Sequence, residues 1–184
     1  MKTTYGWFFH ILIIVMINFQ NPIPLMAFYA DHIFGEKIDV FIITAILIFA
    51  LHGFTILFLT HRYSSFITKS TDAWRVRASY LVYTLTMLVI MLTHLMDLLY
   101  FSYVMDCMKV FPDPLMAFYF AGEMYTTLGF GSYQLPPDLR GLPFVIGFTG
   151  LFSASISGAG LYSMLQELAR VRASRDIGII PPTS

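Results

Sequence analysis

Charged residues are scarce in this sequence: Asp, Glu, Lys and Arg make up 12% of its 184 residues, where a soluble domain carries about a quarter. That shortage excludes an ordinary water-soluble fold. Neither sign dominates, with 11 basic and 11 acidic side chains, so the net charge draws in neither nucleic acid nor an acidic partner. Cysteine is nearly missing. Cys107 stands alone, forms no intrachain disulfide and has no Cys-x-x-Cys or His-rich neighbourhood suited to zinc, so neither a disulfide framework nor a structural metal site is expected. No apolar stretch carries Arg or Lys at every third position, which argues against a voltage sensor of the arginine-ladder kind. No combination of nucleophile and base stands out, so the chain reads as neither an enzyme nor a cofactor carrier.

What the sequence has instead is apolar length, 57% of residues. A membrane span needs roughly 20 mostly apolar residues, because the hydrocarbon core is about 30 Å thick and a helix rises about 1.5 Å per residue. Ile38 to Thr60, Ala78 to Met105 and Leu142 to Leu168 meet this requirement. Trp7 to Tyr29 is weaker, since Asn18, Gln20, Asn21, Pro22 and Pro24 interrupt it. Three readings of that segment stay open: a kinked span, an interfacial helix or an uncleaved signal sequence, the last disfavoured because AFYAD lacks a clean A-x-A site. The fold class expected is all-α, a polytopic helical membrane protein with three or four spans.

Basic residues in short connections stay preferentially on the cytoplasmic side. The loop from His61 to Arg77 holds Arg62, Lys69, Arg75 and Arg77 against Asp72, and the tail holds Arg170, Arg172 and Arg175. Both belong inside. The segments from Ala30 to Lys37 and from Asp106 to Gly141 contain only Lys37, Lys109 and Arg140 as cations beside six acidic residues, and belong outside. If Trp7 to Tyr29 spans, Met1 and Lys2 fall inside and four helices satisfy the rule together. The chain divides into N-terminal helices with a cytoplasmic loop (1–77), a pore-type unit (78–168) and a short cytoplasmic tail (169–184).

Between the last two spans lies PLMAFYFAGEMYTTLGFG, too apolar for an exposed loop. Asp113 followed by Pro114 is a helix start, an N-cap acceptor and then a ring that fixes φ at the first helical position. Pro114 to Thr126 gives about 20 Å of helix, enough to enter a bilayer but not to cross it. The return, Thr127 to Gly131, alternates glycines with large residues and is predicted to be non-helical. Such backbone at membrane depth must be buried by protein or line an aqueous path. Glycine takes φ values that let successive carbonyls face one side, where they can replace the hydration shell of a cation.

TTLGFG resembles the T-x-G-[YF]-G signature of potassium channels. The stretch from THLMDLLYF (Thr93 to Phe101) to the last span resembles the small bacterial potassium channels of the two-helix-plus-pore-loop family, in which an intramembrane H-x-x-[DE] precedes a T-T-L-G-[YF]-G filter. The resemblance covers residues 78 to 168 and extends to FALHGFTILFLTHRY (Phe49 to Tyr63). It implies a selectivity filter at Thr127, Leu128, Gly129, Phe130 and Gly131, with potassium held by the carbonyls of Thr127 to Phe130 and by the Thr127 hydroxyl. Thr126, Glu123 and Ser132 would support it. Phe130 stands where tyrosine is usual and Ser132 where aspartate is. Glu123 therefore lacks its usual carboxylate partner, leaving it to be protonated or to bond Ser132, Tyr133 or water.

His94 and Asp97, three apart, share a helix face, and His52 lies in the preceding span. The three form either a proton or ion sensor or an interhelical hydrogen-bond clamp. In the last span Gly150 and Gly158 are hinge candidates, and Thr149, Ser153 and Ser157 line either a wet cavity or a helix contact. Tyr119, Phe120 and Tyr125 are expected to form an aromatic cuff about the filter. One pore loop cannot encircle an ion, so a homotetramer is expected. The expectation is a passive potassium channel subunit in the plasma or inner membrane, filter outward and C-terminus cytoplasmic, with lipids, potassium and three further copies as partners. A weakly selective cation channel and a non-conducting membrane scaffold are the alternatives.

Overall fold

The computed structural model describes residues 22–33, 35–68 and 73–176. Five α-helices make up these residues: α1 (Pro22–Ile33), α2 (Glu36–Thr68), α3 (Ala73–Cys107), α4 (Pro114–Tyr125) and α5 (Leu142–Asp176), with a 3-10 turn at Pro137–Leu139 ahead of α5. No strand occurs among the described residues. Glu36–Thr68, Ala78–Cys107 and Pro137–Ser174 are long and apolar enough to cross a membrane. The weaker first span expected from the sequence lies outside the described residues up to position 21. Its last part belongs to α1, which Pro22 opens, because a missing N–H costs nothing at a first helical turn.

The long helices outrun their apolar cores. The sequence put the end of the first strong span at Thr60, yet α2 continues to Thr68 because Tyr63 and Ile67 extend its buried face onto Met164 and Leu168 of α5. Spacings of seven and four residues keep Ile56, Tyr63 and Ile67 on one side of the helix. The helix α5 likewise runs past Leu168 to Asp176, and Arg172 donates to the Tyr80 hydroxyl of α3 at 2.8 Å. Packing therefore reaches beyond the hydrocarbon-length segments into the connections.

The helix α2 packs chiefly on α5 and also on α3, while α4 wedges between α3 and α5. A core of Ile38, Phe41, Phe101, Met105, Phe120, Leu142 and Ile146, each 1% exposed or less, joins all four helices. Large apolar side chains such as Phe54, Leu57, Met91 and Phe148 project outward, an arrangement that suits a lipid or protein surround and not water.

Asp113 caps α4 as its sequence suggests: its backbone is extended, its side chain accepts from the Leu115 N–H at 3.0 Å, and Pro114 takes the first helical position. At the far end of the same helix, Gly150 of α5 meets the backbone of Tyr125 so closely that an added methyl group would run into the Tyr125 carbonyl. Gly158 has open space around the same direction. Replacing Gly150 by Ala is expected to destabilise the fold by about 1–3 kcal/mol through overpacking. Gly158→Ala is expected to be neutral or stabilising by up to about 1 kcal/mol, because Ala is the better helix former. Thermal unfolding in detergent micelles distinguishes the two; equal effects would contradict this packing.

Candidate functional site

The chain between α4 and α5 begins with a reversal that is fixed by hydrogen bonds. The Thr127 N–H donates to the Met124 carbonyl at 3.1 Å and the Leu128 N–H to the Glu123 carbonyl at 2.9 Å, the paired bonds of a Schellman helix end. That motif requires a left-handed residue, and here it is Thr127, with φ of 60°. A β-branched residue seldom adopts that region, and the left-handed conformation costs about 1–2 kcal/mol. The end of α3 uses the same motif, with Lys109 at φ of 52° and Val110 donating to Met105.

Gly129 also has positive φ, at 61°, whereas Leu128 between them does not. The sign of φ thus alternates over three successive residues. Backbone that alternates in hand can turn successive N–H groups to one side, and here the Thr127 and Leu128 N–H groups both point back to carbonyls of α4. Thr126 to Ser132 are all exposed in the single chain, and Phe130 is 84% exposed.

Behind this segment stands Glu123, two residues from the end of α4. Its Oε2 accepts from the Gly131 N–H at 2.6 Å, and its Oε1 accepts from the Tyr133 hydroxyl at 2.9 Å. Tyr133, and not Ser132, takes the place that the sequence left open. Desolvation and then the bond to Glu123 push the Tyr133 phenol above its ordinary value of 10.0. A value raised in the folded state stabilises fully below the ordinary one and loses that contribution only as pH climbs through the raised one, so Tyr133 is a fixed donor at neutral pH. The Thr126 hydroxyl turns back to the Gly122 carbonyl at 2.6 Å.

Tyr119 is 60% exposed in the single chain. Phe120 packs with Phe111 and Tyr133, ring centroids 5.2 and 5.1 Å away, at the separations favoured by edge-to-face and tilted pairs. Phe111 and Tyr133 come from outside α4, so sequence proximity gave no sign of them.

Below the segment, His52, Asp97 and His94 do come together, and Tyr125 and Ser157 join them. His52 Nδ1 lies 2.7 Å from Asp97 Oδ2 and its Nε2 lies 2.8 Å from Ser157 Oγ. The Tyr125 hydroxyl donates to the same Asp97 oxygen at 2.6 Å and sits 2.9 Å from His94 Nδ1, whose other nitrogen is 3.2 Å from Ser157 Oγ. The set links α2, α3, α4 and α5, as the clamp reading anticipated. His52 is 0% exposed and Asp97 5%. Ligand-type atoms of His52, His94 and Asp97 lie within 4.8 Å of one another, a donor set that by type suits a transition metal. Every imidazole nitrogen in it is already engaged in a hydrogen bond. The absence of paired cysteines said nothing about this cluster, because its members are 45 and 105 residues apart along the chain.

Thr149, Ser153 and Ser157 form a helix contact: all three are buried. Thr149 bonds back to the Val145 carbonyl, Ser157 enters the network, and Ser153 Oγ is buried without a partner of acceptable hydrogen-bond geometry among the described residues. The helix α5 runs without a break through Gly150 and Gly158.

Removing the Tyr133 hydroxyl with Tyr133→Phe leaves one Glu123 oxygen without its donor and is expected to cost about 1–3 kcal/mol. Removing the hydroxyl of the exposed Tyr119 in the same way is expected to change stability by less than about 0.5 kcal/mol. Denaturation midpoints of the two variants in micelles check the difference.

Comparison with protein-family models, with curated proteins and with solved structures finds no match for this chain.

Proposed function

We propose that the chain is one subunit of a homotetrameric channel that conducts potassium passively, with Thr127 to Gly131 as its selectivity filter. The observation that carries this reading is the alternating sign of φ at Thr127, Leu128 and Gly129, set directly after a short capped helix and between two helices long enough to span. Alternation of this kind can turn neighbouring carbonyls toward one side, and a file of carbonyl oxygens is what a dehydrated monovalent cation requires. The strained φ at Thr127 supports the same reading, since strain of this kind persists where surrounding structure enforces it and clusters at working sites.

Exposure supports the tetramer. Non-helical backbone within the hydrocarbon region cannot face lipid, and residues 126–132 are uncovered in one chain. Copies arranged about an axis would cover the outer side of this segment and leave its carbonyls facing a central aqueous path. The negative end of the α4 dipole would point at the same path. Glu123, bonded to Gly131 and Tyr133, would hold the filter from behind, with Thr126 and Ser132 at its two ends. Because Gly150 is closed in by Tyr125 and Gly158 is open, Gly158 is the more suitable place for α5 to bend. The basic loop and tail support a cytoplasmic C-terminus and a filter at the outer face of the cell membrane.

Purified protein in liposomes is expected to pass potassium and exclude sodium. Equal flux of both ions would indicate a weakly selective cation pore, and no flux from an intact tetramer would indicate a scaffold. Gly129→Ala introduces a side chain at φ of 61°, which costs about 1–2 kcal/mol per subunit and pulls the backbone out of alternation. The variant is expected to assemble and to lose at least tenfold in flux. Selective conduction by the variant at the wild-type rate would contradict the filter assignment.

A further inference from the structure

The buried contacts below the filter segment close on themselves. His52 meets Asp97, Asp97 meets Tyr125, Tyr125 meets His94, His94 meets Ser157, and Ser157 meets His52. Five groups share five hydrogen bonds, and each bond needs one hydrogen. An ionised carboxylate brings none, and the two hydroxyls and two neutral imidazoles bring one each. That makes four hydrogens for five bonds, whichever tautomers the imidazoles adopt.

In the four-hydrogen state one contact sets acceptor against acceptor, and the cluster carries a net negative charge. Among the described residues no lysine or arginine pairs with Asp97. Other ionisable groups do not relieve the charge: α2 brings His52, α3 brings His94 and Asp97, α4 brings Tyr125, and α5 brings only the Ser157 hydroxyl. A buried unpaired charge and an unmade hydrogen bond are both costly in an apolar interior. A fifth hydrogen removes both at once. It can sit on either imidazole or on the carboxyl, and in each case the remaining hydrogens can be ordered so that every bond holds one.

We infer that these five side chains form a proton-binding site, which takes up one proton beyond those of a carboxylate and two neutral imidazoles and shares it among His52, Asp97 and His94. Its way in is His94, the half-buried member, which borders an open groove of about 530 Å³ together with Tyr125, Thr126 and Thr127. Loss of the proton breaks one link of the circuit, and Tyr125, a member of that circuit, is the last residue of α4. Control of conduction by this proton rests on the channel reading above; the proton itself does not.

The test is therefore made on protonation and not on flux. The full chain, labelled with 15N in its imidazoles and 13C in its carboxyls, is placed in liposomes and studied by solid-state NMR at about pH 5, the lower edge of the histidine range. Three protons are expected among His52, His94 and Asp97 in the wild type. Two are expected in Asp97→Asn, where the site is neutral without the extra proton. Ser157→Ala removes two links but leaves the buried carboxylate uncompensated, so it is expected to keep three; the wild-type count carries the test should Asp97→Asn fail to assemble. Two protons in the wild type, or three in assembled Asp97→Asn, would overturn the inference.

Discussion

The phenol of Tyr125 fixes the place from which the rest of the site is built. Its hydroxyl donates to a buried carboxylate on α3 while its carbonyl lies against Gly150 of α5. The last residue of the 12-residue α4 is thus located from both sides, by a polar bond on one and by backbone contact on the other. A helix this short has little stability of its own, and its N-terminal end is held by the Asp113 cap and by buried Ala117. With both ends fixed, the reversal at Thr127 starts from a defined point. The carbonyls that follow inherit that definition.

The two helix ends that use a non-glycine left-handed residue invite comparison. After α3, Val110 packs into the same core as Met105, so the apolar contact that usually accompanies a Schellman end offsets the strain at Lys109. After α4 the corresponding residue is Leu128, which is 58% exposed and faces Glu123 across the motif. No such contact compensates Thr127 within one chain. Compensation has to come from Glu123 gripping Gly131 and Tyr133 and, in the proposed assembly, from neighbouring copies. A glycine at position 127 would relieve the strain but would remove the hydroxyl that the proposed ion site uses.

Much of this was legible in the sequence because it is local. Asp113 and Pro114 announce the α4 start, three apolar runs announce three long helices, and Gly129 announces a backbone that helices and strands do not use. What could not be read depends on residues distant along the chain. Tyr125 looked like one aromatic among several, and Ser157 like one small residue in a stripe; only the packing of α2, α4 and α5 around Asp97 shows that they complete a circuit. Phe111 and Tyr133, which pack on Phe120 from flanking segments, gave no sign in the sequence for the same reason. The helices run past the apolar segments read from the sequence, beyond Thr60 and Leu168, where packing continues into the connections.

An experimentally determined density map of the assembled protein in potassium salt tests the central claim most directly. The account requires a four-fold axis, the carbonyl oxygens of Thr127, Leu128, Gly129 and Phe130 directed at it from every copy, and ion density between their layers. Oxygens turned away from a common axis, or an assembly with no central axis, would contradict it.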